Sequence, residues 1–147
     1  MYLLDTNHCS FLIEGDLKVV NNFRERSEVI IATSAIVVGE LRFMAQNSQQ
    51  RTANLMKIEA FLQRIDIYSI DKQTAEIYGD FKSEIIRRFG PKEKRKRQTT
   101  KLAEIGISEN DLWIASTALR HSLIVVSCDS DFERMRQVRE FSLENWV

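Results

Sequence analysis

The sequence predicts an α/β domain whose central parallel sheet is covered by helices on both faces. Three observations predict it. Short apolar runs recur at 2–4, 29–32, 67–70 and 123–126. Stretches with helical periodicity separate them, and the last run is continuously apolar, as a central parallel strand requires.

Tyr2-Leu3-Leu4 reads as a short buried strand, and Asp5-Thr6-Asn7 as a turn into a helix. Phe11, Leu12 and Ile13 begin that helical region and Gly15-Asp16 breaks it. Leu17, Val20 and Phe23 continue as a second short helix, with a spacing of about three. Val29-Ile30-Ile31-Ala32 is the second strand. Thr33-Ser34 then caps a helix running to about Gln46, with Ile36, Val37, Leu41 and Met44 on its apolar side. Leu55, Ile58, Leu62 and Ile65 mark a further helix from about Gln50 to Arg64. Ile67-Tyr68-Ser69-Ile70 is the third strand. Asp71 caps a long helix with Ala75, Tyr78, Phe81, Ile85 and Phe89 on one face, stopped by Gly90-Pro91. Ser108 opens a helix that is apolar nearly all round and hence buried. Leu123-Ile124-Val125-Val126 is the fourth strand, and Glu140-Phe141-Ser142-Leu143 an edge strand.

The 147 residues suit one domain, 1–147, with a basic loop insert at about 90–107. No apolar run approaches the roughly 18 residues of a membrane span. The N-terminus lacks the basic-then-apolar pattern of a signal peptide. Cys9 and Cys128 have no zinc-like spacing and suit a reducing cytoplasm. Two histidines argue against a His-based zinc site. A soluble cytoplasmic protein with no membrane partner is the expectation. Formal charge is zero overall, yet Arg87–Lys101 carries +7 and the remainder −7. A basic block on an acidic protein suggests a phosphate-contacting arm; a solvated loop without a partner is the plain alternative.

Four acids would converge on such a fold. Asp5 and Asp129 follow strands, Glu40 lies less than two turns beyond the Ser34 cap, and Asp111 starts its helix. All four fall at the carboxyl edge of the sheet, where open α/β folds bind ligands. Carboxylates so placed repel by roughly 1–4 kcal/mol per pair at about 4 Å. A hard cation such as Mg²⁺ neutralises such a cluster, which suits a metal-dependent phosphodiester reaction. Taken singly, each acid has a plain role: Asp5 as a cap, Glu40 as a solvated helix residue, Asp111 in a capping box, Asp129 in a turn. His8 is expected on a helix surface, and Trp113 and Trp146 in the core. A haloacid-dehalogenase phosphatase would need a second Asp where Asn7 stands.

The motif Leu3-Leu4-Asp5-Thr6-Asn7 resembles the opening of PIN-domain ribonucleases, in particular VapC-type toxins of bacterial toxin–antitoxin pairs. Ser34-Ala35-Ile36-Val37-Val38-Gly39-Glu40-Leu41, Glu109-Asn110-Asp111-Leu112-Trp113-Ile114-Ala115 and Val126-Ser127-Cys128-Asp129-Ser130-Asp131-Phe132 match in the same order, as does the ending Leu143-Glu144-Asn145-Trp146. The resemblance implies a three-layer α/β/α fold and a Mg²⁺- or Mn²⁺-dependent endoribonuclease that leaves a 5′-phosphate and a 3′-hydroxyl. It places Asp5, Glu40, Asp111 and Asp129 at the metal as catalytic acids, with Asp131 as neighbour or substitute for Asp129. Thr6, Asn7, Asn110 and Ser127 would be supporting polar groups. The partners implied are RNA, a VapB-like antitoxin whose segment lies in a groove reaching towards the acids, and a second copy in a homodimer. The basic insert departs from the family pattern, and Lys94, Arg95, Lys96 and Arg97 are its candidate RNA contacts. An RNA-processing PIN nuclease without an antitoxin fits the same motifs. So does an inactive RNA-binding or interaction module, against which the intact quartet argues.

Overall fold

Leu3, Leu4, Val125 and Val126 are fully buried, and they make two neighbouring strands the centre of the molecule. The computed structural model describes all 147 residues. β1 (Tyr2–Leu4), β2 (Ile31–Ser34), β3 (Asp66–Tyr68), β4 (Ile124–Val126) and β5 (Leu143–Glu144) form one sheet in the order β3-β2-β1-β4-β5. Every pairing is parallel.

α1 (Thr6–Glu14) and α2 (Leu17–Glu25) join β1 to β2; α3 (Ala35–Gln46) and α4 (Arg51–Leu62) join β2 to β3. α5 (Lys72–Phe89), α6 (Lys94–Arg97), α7 (Leu102–Ile105) and α8 (Glu109–His121) lead back across to β4, and α9 (Ser130–Arg136) leads to β5. Right-handed crossovers send connections that travel in opposite directions along the sheet to opposite faces. The reversal between β3 and β4 therefore covers both faces, giving the expected α/β/α layers. It also makes the boundary between β1 and β4 the switch point where an open parallel sheet forms its crevice.

The helices start where the capping residues predict. Asp71 accepts the Thr74 N–H at 2.7 Å, and Ser34 and Ser108 cap α3 and α8. Gly15 ends α1 at φ 84°, a left-handed position that suits glycine. Gly90 ends α5 through close approach, since a methyl there would meet the Ile86 carbonyl oxygen at 2.4 Å.

Several expected boundaries move. α1 begins at Thr6 instead of after a turn, because Asp5 is already its cap. β2 begins at Ile31, not Val29, because pairing with Tyr2 and Leu3 starts there and leaves Val29 and Ile30 exposed. β3 starts at Asp66 and ends at Tyr68, in register with Ser34. β5 forms at 143–144, downstream of the expected 140–143, where Leu143 and Glu144 meet Val125 and Val126.

The insert is also more ordered than a loop. It holds two one-turn helices, of which α6 buries no residue and α7 is anchored by buried Leu102, with Ile107 buried just beyond it. Arg134 donates from Nη1 to the carbonyls of Ile105 and Gly106 at 2.8 and 3.2 Å, fastening its far end to α9. Leu102→Ala is expected to cost about 2–5 kcal/mol, the usual penalty for a truncated core leucine. Urea denaturation checks this, and a loss below about 0.5 kcal/mol would mean the insert is not docked.

Candidate active site

The site is built on the ends of β1 and β4. Asp5 leaves β1 as the cap of α1 and accepts the His8 backbone N–H on Oδ1 at 2.7 Å. Its Oδ2 accepts the Ser127 hydroxyl at 2.5 Å, and Ser127 Oγ in turn accepts the Asp129 N–H at 3.0 Å. A carboxylate that is only 3% exposed is thus tied to both strands.

Glu40 arrives from α3 and is held at both oxygens. Thr6 donates its hydroxyl to Oε2, and the Asn110 amide donates to Oε1 at 2.7 Å. Asp129 caps α9 and accepts the Asp131 N–H at 2.9 Å, while Asp131 accepts the Ser108 N–H at 2.9 Å. Asp111 is exceptional, because its carboxylate accepts no hydrogen bond. One oxygen each from Asp111, Asp129 and Asp131 lie within 4.8 Å of one another.

Asp5, Glu40, Asp111, Asp129, Thr6, Asn7, Asn110 and Asp131 all line one cleft of about 760 Å³. Phe43 and Met44 form part of its wall, both largely exposed. Ser127 lies beneath the cleft and acts on it through Asp5. Asp131 accompanies Asp129 in the cluster and lines the same cleft. Lys94–Arg97 do not reach the cleft. Lys94 and Arg97 line a separate concavity of about 360 Å³ with Lys82 and Arg87.

His8 overturns its expected surface position. It is fully buried, with Nδ1 3.0 Å from Asp5 Oδ1 and Nε2 3.4 Å from the Trp146 backbone nitrogen. The available signal was its spacing: three residues after a capping Asp, a side chain returns over the cap. Trp146 is buried as expected, whereas Trp113 is half-buried and stacks face to face on Tyr78 at 3.6 Å. Cys9 and Cys128 are both free; burial pushes the Cys9 thiol up.

A PIN-domain family model matches residues 2–138. The chain belongs to the PIN-domain family. It is similar to ribonuclease VapC2 of Haemophilus influenzae, 32% identical with 99% of this chain and 98% of the relative covered. It is also similar to the tRNA(fMet)-specific endonuclease VapC of Shigella flexneri, 28% identical over 99% of this chain and 97% of that one. Among solved structures it resembles VapBC2 from Rickettsia felis bound to a fragment of promoter DNA, with TM-score 0.80 and 26% identity, covering 99% of this chain and 98% of that chain.

PIN nucleases are generally divalent-metal dependent, and the donor set here fits a hard cation, all oxygen and crowded with negative charge. The Asp111 carboxyl is pushed up to about 8, first by burial and then by Asp129, Asp131, Asp5 and Glu40. The folded protein therefore holds a proton there that the unfolded chain, with its value of 3.8, has released. Stability without a cation should fall as pH rises from about 4 to about 8. Thermal unfolding in EDTA between pH 5 and 8.5 is expected to show that decline, reduced in Asp111→Asn. Millimolar Mg²⁺ is expected to raise Tm more at pH 8.5 than at pH 5. Identical pH profiles for wild type and Asp111→Asn would refute the raised Asp111.

Proposed function

We propose that this chain is the toxin of a toxin–antitoxin pair, a Mg²⁺- or Mn²⁺-dependent endoribonuclease working in the cytoplasm. The observation that carries the reading is a PIN fold whose cleft gathers five carboxylates, one of which no hydrogen bond satisfies. The relatives named ribonuclease and tRNA endonuclease, similar over their whole lengths, support it.

Asp5, Glu40, Asp111 and Asp129 are the catalytic acids and would hold the cation, with Asp131 beside them. When bound, a divalent cation would activate the attacking water and stabilise charge on the phosphate. The chain's own part is positioning. Thr6 and Asn110 fix both oxygens of Glu40, Ser127 fixes Asp5, and Asn7 presents a further amide to the cleft. In-line attack by water forms the new P–O bond and breaks the bond to the 3′ oxygen. That oxygen leaves as a hydroxyl, so the downstream fragment begins with a 5′-phosphate.

A VapB-like antitoxin and a homodimer are the proposed assembly, supported by the VapBC complexes this chain resembles. An apolar groove of about 220 Å³ between α1, α3 and α4 is lined by Ile13, Leu41, Met44 and Ile58. It shares Met44 with the acidic cleft, so an antitoxin segment seated there would end beside the acids.

RNA contacts in the insert divide unequally. Arg97 turns inward to the Lys92 and Pro91 carbonyls at 2.5 and 3.4 Å, and Lys96 pairs with Glu93 at 3.4 Å. Lys94 and Arg95 make no ion pair and are exposed, which leaves them to meet phosphate.

Purified protein with Mg²⁺ is expected to cut total RNA at discrete positions with 5′-phosphate ends, and to stop in EDTA or as Asp5→Asn. Cleavage indifferent to EDTA would sink the mechanism. In RNA-binding titrations, Lys94→Ala with Arg95→Ala is expected to flatten log K against log salt by about 0.7 per lost contact on single-stranded RNA. Unchanged binding at low and high salt would defeat the arm.

A further inference from the structure

His8 is a fully buried imidazole that the cleavage chemistry above does not use, yet it touches the most deeply placed acid. Both ring nitrogens are engaged. Nε2 faces the backbone N–H of Trp146 and can only accept from it. The ring proton of the neutral imidazole therefore sits on Nδ1, where it donates to Asp5 Oδ1 at 3.0 Å. The Phe11 ring meets the imidazole edge-on at 5.7 Å and limits its rotation.

The donor of that N–H is itself clamped. Trp146 packs edge-to-face on Tyr2 at 5.3 Å, with the Arg26 guanidinium 5.0 Å from its ring centre. Its indole N–H donates to Glu144 at 3.0 Å, and Glu144 pairs in β5 with Val126 of β4. A carboxylate offers about four lone-pair sites. On Asp5, the His8 backbone N–H, His8 Nδ1–H and Ser127 hydroxyl occupy three, filling Oδ1 and leaving one on Oδ2.

We propose that His8 is a positioning residue for the metal site. Set in its Nδ1–H form by the main chain of Trp146, it saturates Oδ1 of Asp5, so that Asp5 meets a cation through Oδ2 alone. The C-terminal residues thereby belong to the site's framework. This rests on the acidic cleft being the cation site of the proposed nuclease.

The test reads the ring and the cation separately from RNA cleavage. Nitrogen-15 spectra of the wild-type imidazole are expected to show a neutral ring protonated on Nδ1. Calorimetric titration with Mn²⁺ alone is expected to show His8→Leu binding on the order of 10–100-fold more weakly, the usual loss when a group orienting a ligand is removed. His8→Asn, whose amide can place an N–H near the Nδ1 position, should recover most of that loss. At saturating Mn²⁺ the Leu variant should lower kcat on RNA and leave KM unchanged. A wild-type ring protonated on Nε2 would overturn the proposal. So would a folded Leu variant with wild-type Mn²⁺ affinity. If the Leu variant does not fold, an Asn variant as weak as Asp5→Asn would do the same. A protein that binds Mn²⁺ as expected but never cuts RNA defeats the functional reading and leaves this one standing.

Discussion

Like-charge crowding at the end of β1 and β4 is the constraint to which the rest of the molecule answers. Five carboxylates share one cleft, and pairs at about 4 Å oppose folding by roughly 1–4 kcal/mol each. Four of them are compensated by donors from the protein. Asp5 has His8 and Ser127, Glu40 has Thr6 and Asn110, Asp129 has the Asp131 N–H, and Asp131 has the Ser108 N–H. Asp111 has none and retains a proton instead. Asp111 is therefore the one acid in the cleft that a cation would meet without breaking a hydrogen bond, with a proton to displace instead.

The sheet order makes this arrangement reachable from distant sequence. Placing β4 next to β1 brings Ser127 and Asp129 to Asp5 across 122 and 124 positions of chain. The same edge receives the first turns of α1, α3, α8 and α9, whose unpaired N–H groups favour negative charge. Capping does not compete with the cation-binding role proposed for these acids. Asp5 and Asp129 are caps, and being caps is what orients them.

This explains what could be read from sequence. The parallel sheet, the capped starts of α3, α5 and α8, and the acidic set were legible because each depends on local signals: apolar runs, Ser or Asp before a helix, ordered motifs. Strand limits in β2 and β5 shifted because register belongs to the partner strand, and apolar Val29 and Ile30 carry no mark of exposure. His8 was misplaced for a related reason. Its burial comes from Trp146, contributed by the opposite end of the chain.

The insert carries a uniform local signal whose parts the fold treats differently. Lys94–Arg97 is an unbroken run of four cations in sequence. Folding distinguishes them. Arg97 satisfies carbonyls that a short turn leaves open, and Lys96 meets Glu93 within the same turn. Leu102 and Ile107, buried in and just after α7, fasten the far part of the insert, while the Lys94–Arg97 turn buries no residue and leaves Lys94 and Arg95 exposed. Two of the four cations already have partners within the insert, and Lys94 and Arg95 are the two that a phosphate would meet without breaking a contact already made.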